Sequence, residues 1–73
     1  MNSSDAIRIF ELAENAMHPL SMEEAATALG YKSSRGAARA IKCAYDYFDN
    51  CGESRKSAII ARSFVNKSGA YSW

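Results

Sequence analysis

The sequence predicts an α+β fold that is mainly α, with a three-helix core followed by a C-terminal two-stranded β-hairpin. Three observations carry this reading. Apolar residues recur at helical spacing in three successive segments as far as Gly52. Serine caps, a proline and glycines punctuate those segments. From Ser57 onward the pattern changes to paired β-branched and aromatic residues on either side of a turn cluster. With 73 residues the chain makes one domain, 1–73, near the lower size at which a hydrophobic core alone supports folding, which keeps dimerisation in view.

Ser3 or Ser4 is expected to cap the first helix, with Asp5 in the first turn, where the helix dipole favours an acid. Ala6, Ile9, Phe10, Ala13, Ala16 and Met17 share one arc and form a core-facing stripe, with Leu12 at its margin. Ile7 falls outside the stripe beside Glu11 and Glu14, where it meets either the C-terminal strand or a second copy of the chain. His18-Pro19 ends the helix, because a residue before proline is pushed out of the α region. Ser21-Met22-Glu23-Glu24 is a capping box opening a short second helix, whose Met22, Ala25, Ala26 and Leu29 share a face and which Gly30 stops. Its alanines suit close approach to the next helix.

Ser33 or Ser34 caps that third helix, which runs to Asn50 and Gly52 and has two opposed faces. Ala37, Ala40, Ile41, Ala44, Tyr45 and Phe48 fall on one side; Arg35, Arg39, Lys42, Asp46 and Asp49 fall on the other. The outer face carries only cations in its first half and only anions in its second. The helix dipole prefers the reverse order by roughly 0.3–1 kcal/mol per charge, so the layout points to contact with a polyanion at the N-terminal half. Gly36, inside the second turn, costs about 1 kcal/mol relative to alanine and suggests a close backbone approach. After the polar connection Glu53–Lys56, Ser57–Val65 reads as a strand through Ile59, Ile60, Phe64 and Val65. Asn66–Gly69 is a turn, and Ala70–Trp73 a returning strand.

The net charge of +1 conceals an asymmetry. Up to Tyr31 there is one base (Arg8) against five acids, a balance of −4; from Lys32 onward there are eight bases against three acids, a balance of +5. Cys43 and Cys51 would be about 12 Å apart along a continuous helix, too far to bridge, which fits a reduced, cytoplasmic setting. Cys43, at the edge of the apolar face, is expected to be packed. His18 is the single histidine and the cysteine spacing is not that of a zinc site, so no metal or cofactor is expected. No apolar run reaches the length of a membrane span.

The order helix, helix-turn-helix, hairpin resembles the winged helix-turn-helix superfamily of DNA-binding domains, over essentially the whole chain. Ser21–Ile41, SMEEAATALGYKSSRGAARAI, carries the resemblance, with Ala26 and Gly30 standing four residues apart like the alanine and turn glycine of the motif. Six residues past that glycine the motif usually has a branched apolar residue, and here stands Gly36; a turn one residue longer puts Ala37 there, with Ile41 one helical turn on. The small size and the lack of a ligand domain resemble the compact regulators of phages and mobile elements.

The resemblance implies that the third helix enters the major groove of double-stranded DNA. Arg35 and Arg39, one turn apart, are the candidates for base edges, since guanidinium can donate two bonds to guanine O6 and N7. Lys32, Ser33 and Ser34 suit phosphate at the helix start; Lys42 either reaches a flanking phosphate or pairs with Asp46 and Asp49. Lys67 would lie at the wing tip and Arg55, Lys56 and Arg62 on its approaches, where charge also protects an edge strand from mispairing. Tyr71 and Trp73 alternate onto one face and either close the core or stack on bases. No nucleophile, acid–base pair or phosphate loop stands at a recognisable spacing, so no catalytic residue is assigned. The expectation is a transcriptional regulator that acts as a homodimer, nucleoid-associated when bound to DNA. The other reading is a protein-binding winged module, such as a phage-type inhibitor or assembly factor, working through the acidic first half.

Overall fold

The computed structural model describes residues 1–65. Along them run α1 (Ser3–Asn15), β1 (Leu20–Ser21), α2 (Met22–Leu29), α3 (Ser34–Asn50), α4 (Ser54–Ser63) and β2 (Phe64–Val65). The fold is mainly helical, with one small two-stranded sheet.

Helix α1 starts one residue earlier than the serines suggest, because Asn2 is the cap: its Oδ1 accepts the Asp5 N–H at 2.9 Å. Ala6, Ile9 and Ala13 are buried as expected and Phe10 and Leu12 pack at the core margin. The end of the helix departs from expectation. It stops at Asn15, Ala16 is already extended, and Met17 is 96% exposed instead of extending the core stripe. The unwinding begins before the His18-Pro19 restriction applies, so Met17 never reaches the inward face.

Helix α2 follows the sequence closely. Ser21 and Glu24 form a complete capping box, with Glu24 N–H donating to Ser21 Oγ and Ser21 N–H donating to Glu24 Oε1, each at 3.1 Å. Gly30, at φ +83°, turns the chain, and the Tyr31 N–H closes the helix end on the Ala26 carbonyl at 2.9 Å. The Arg8 guanidinium donates to the Leu29 carbonyl at 3.2 Å, which puts the one base of the acidic half at the negative end of α2.

Helix α3 is capped by Ser33, whose Oγ accepts the Gly36 N–H at 3.1 Å, and it buries Ala37, Ala40, Ile41, Ala44 and Phe48. It ends in a Schellman motif: with Gly52 at φ +78°, Glu53 N–H donates to the Phe48 carbonyl at 2.8 Å and Gly52 N–H to that of Asp49 at 3.2 Å. The close approach expected at Gly36 is absent. A Cβ there would meet Ser33 Oγ at 3.5 Å and Tyr31 Cδ1 at 3.9 Å, which is ordinary contact.

The main correction concerns Ser57–Val65. Its first seven residues are helix, as part of α4, and only Phe64–Val65 is extended. Adjacent Ile59 and Ile60 resemble strand residues, yet the inward positions of this helix are Ser57 and Ile60, three residues apart, and Phe64 is buried from the strand that follows. Ser57 can be buried because its hydroxyl donates to the Ser54 carbonyl at 3.0 Å. Among the described residues, β2 pairs with β1, in parallel, with Leu20 opposite Phe64 and Ser21 opposite Val65. The expected turn Asn66–Gly69 and returning strand Ala70–Trp73, with Lys67, Tyr71 and Trp73, lie outside the described residues.

The core is built from all four helices and β2. Among the described residues, seven of its thirteen buried apolar residues are alanines, so helix backbones approach closely and bulk is supplied by Ile9, Met22, Ile41, Phe48, Ile60 and Phe64. Phe48 meets Phe10 and Tyr47 edge-on, with ring centroids 5.9 and 5.3 Å away. This packing holds α3 from behind, against α1, α2 and α4, and leaves its charged face outward.

Candidate nucleic-acid interface

The outward face of α3 begins at its cap. Lys32 and Ser33 are exposed and Ser34 is half-buried, so a cation and the helix's free N–H groups stand together at its positive end. Next come Arg35 and Arg39, both exposed and one turn apart. With Ala38, Lys42 and Cys43 they line a shallow groove of about 310 Å³. Among the described residues neither guanidinium has a hydrogen-bond or ion-pair partner, and no acid stands in the first turn. Arg35 therefore sits where the dipole opposes it, with nothing in the described fold to offset the cost.

Lys42 is handled differently. Its Nζ lies 3.3 Å from Asp46 Oδ1 and 5.5 Å from the centre of the Tyr45 ring. The ion pair is half-exposed and modest in strength. Asp46 and Asp49, both exposed, carry the stripe on into its negative half.

The structure separates Arg55 and Lys56 from this group. They occupy the first turn of α4, which follows the C-terminal end of α3; at about 1.5 Å per residue that end lies roughly 20–25 Å from Arg35. Lys56 is placed 3.7 Å from Glu53 and 5.5 Å from the ring centres of both Phe10 and Phe48, covering an aromatic pair at the edge of the core. Arg55 borders a second groove, of about 290 Å³, with Phe10, Glu14, Glu53 and Ile59. Arg62, an approach to the expected wing, lies on the last turn of α4 and borders another hollow with Met17 and His18.

Two groove residues escape sequence reasoning. Ala38 has no assigned role in the sequence pattern, yet it is half-buried between Arg35 and Lys42, at three and four residues' spacing. Cys43, expected to be packed, is an exposed free thiol, as is Cys51. The apolar arc is narrower than the spacing suggests, and Cys43 falls on its solvent side. Ile7 is 48% exposed and opens on a groove of about 300 Å³ shared with Tyr47, Phe48, Cys51, Glu53 and Lys56.

Among the described residues no helix is long and apolar enough to cross a membrane. Compared with known proteins, the chain matches no family model, and neither a curated protein nor a solved structure is significantly similar to it.

Proposed function

We propose that this chain is a small sequence-specific DNA-binding domain, a transcriptional regulator that works as a homodimer and reads the major groove through the N-terminal half of α3. The observation that carries the proposal is the pair Arg35 and Arg39: exposed, one turn apart, unpaired among the described residues, and held on a helix braced from behind by an alanine-rich core. Two guanidiniums so placed can each take guanine O6 and N7, while Lys32, Ser33 and the α3 N-terminus take phosphate. Asp46 and Asp49 mark where the helix leaves the groove, because carboxylates against phosphate repel. One such module makes few phosphate contacts, and two copies on adjacent half-sites supply the remaining affinity.

The test is enrichment from a random duplex library at rising salt, with an Arg35→Ala, Arg39→Ala double variant alongside. The expected result is one enriched sequence, a log–log salt slope near −0.9 per phosphate contacted, and loss of selectivity in the variant. A folded protein that binds no duplex even at low salt would sink the proposal.

One observation favours a protein-binding module instead. Ile7 is exposed beside Glu11 and Glu14 on the outer side of α1, over a groove that reaches α3 and α4. On that reading, charge reversal at Glu11 and Glu14 disrupts function and the double arginine variant does not.

A further inference from the structure

We infer that Ala38 is a specificity-determining residue of the α3 surface, its methyl group packing on the C5 methyl of a thymine in the half-site whose guanines Arg35 and Arg39 read. The inference rests on the DNA-binding proposal and adds one base to it.

Among the described residues, the α3 groove is lined by three cations, a thiol and Ala38, which alone of these presents a plain methyl. Its inner side packs at the margin of the core, so the backbone beneath it is fixed, and its outer side faces the groove. Arg35 and Lys42 flank it at helical neighbour spacing. Along the helix axis Ala38 stands about 1.5 Å from the level of Arg39 and about 4.5 Å from that of Arg35. Base pairs stack about 3.4 Å apart, so the two arginines, about 6 Å apart along the axis, address pairs up to two steps apart. The base facing Ala38 then falls between those pairs or beside one of them.

The major-groove edge of that base decides what fits. Cytosine and adenine present an amino donor, which a methyl group would strip of water and leave unpaired. Guanine presents two acceptors and would be served by a third cation. Thymine alone offers a methyl group, which gains from losing water against another methyl. The groove accordingly fits a half-site of two G·C pairs with a thymine between or adjacent to them.

The experiment begins with the sequence enriched by the wild-type protein. Each thymine of that duplex is replaced singly by uracil, which deletes the C5 methyl and preserves pairing, and affinities are measured for the wild type and for Ala38→Gly, with helix content followed by circular dichroism. One thymine is expected to lose about four-fold in wild-type affinity on replacement, the worth of one buried methyl, and to lose nothing in Ala38→Gly. The wild-type scan stands even if the variant folds poorly. Arginine-dependent selection with no uracil-sensitive thymine would overturn the inference and leave the DNA-binding proposal intact. A uracil effect undiminished in folded Ala38→Gly would assign the thymine to another residue. No selected sequence at all would overturn both.

Discussion

Four cations of α3 and α4 divide into two kinds. Lys42 and Lys56 each have a carboxylate within one helical turn and an aromatic ring 5.5 Å from the ammonium. Arg35 and Arg39, on the first half of α3, have neither among the described residues, and Arg35 lies against the helix dipole as well. The lysines are engaged in holding the fold, modestly, whereas the arginines contribute nothing visible to it. Charged side chains that the described fold does not use, gathered on one groove, are the best local sign of a surface meant for a partner.

If that division is sound, stability and binding should respond to different substitutions. The largest effect on stability is expected in the core, where Phe64 is fully buried and β2 lies beside β1. Phe64→Ala should cost about 3–5 kcal/mol, enough to unfold most of so small a domain, as read from the denaturant midpoint. A loss below about 1 kcal/mol would mean that β2 does not close the core. Next comes the double variant Arg35→Ala, Arg39→Ala. Its stability should stay within about 0.5 kcal/mol of wild type, while specific affinity falls by about 2–6 kcal/mol if each arginine makes a bidentate contact. An equal fall in melting temperature would show that the arginines support the fold and would erase the distinction.

An effect of middle size belongs to the capping box. Ser21→Ala should cost about 1 kcal/mol through the lost cap. The Glu24 carboxyl is held below its ordinary range, chiefly by the Ser21 N–H it accepts, against a smaller opposing effect of burial; the Ser21 hydroxyl and the nearby His18 lower it further. Because the folded-state value lies below the unfolded one, this contribution is complete above the ordinary carboxylate range and is lost as pH falls through the lowered value. Glu24→Gln should therefore lower stability at neutral pH, converge with the wild type in acid, and so flatten the acid limb of the stability profile.

The residues that were legible in the sequence are those whose chemistry is local. Ser21 with Glu24, Gly30, Ser33 and Gly52 act within a few residues of themselves, and each performs the role its type and spacing predict. The outward arginines follow equally from helical periodicity, once the inward alanines are known. What was not legible depends on which neighbour a segment meets. Ile59-Ile60 carries strand propensity, but α4 packs on α3 and α1 through Ser57 and Ile60, and tertiary contact overrides the local preference. A buried serine satisfied by its own helix leaves no apolar mark in the pattern. Ala38 was missed for a related reason: one methyl is equally at home in a core and at an interface, and only its place beside Arg35 and Lys42 distinguishes the two.

Gly36 tests whether the start of α3 has room to change. A Cβ there would make ordinary contacts with Ser33 and Tyr31, and the glycine has no positive φ. Gly36→Ala should then stabilise the protein by about 0.5–1 kcal/mol, raising the melting temperature without loss of the Ser33 cap. Destabilisation would mean that Tyr31 cannot yield.

The smallest effect sharpens the comparison most, because it moves a residue from one class toward the other. Asp46→Asn removes the carboxylate 3.3 Å from Lys42 and keeps the side-chain shape. The pair is half-exposed, so its loss should cost no more than about 0.5 kcal/mol of stability. The same change deletes a negative charge from the stripe that carries Arg35 and Arg39. If that stripe lies against phosphate, duplex affinity should rise at low salt, and the gain should fade as added salt shortens the screening length to about 8 Å at 0.15 M. A protein-binding surface on α1 predicts no such gain. Asp46→Asn thus separates a cation held in the fold from one facing a polyanion, through a substitution that leaves the core untouched.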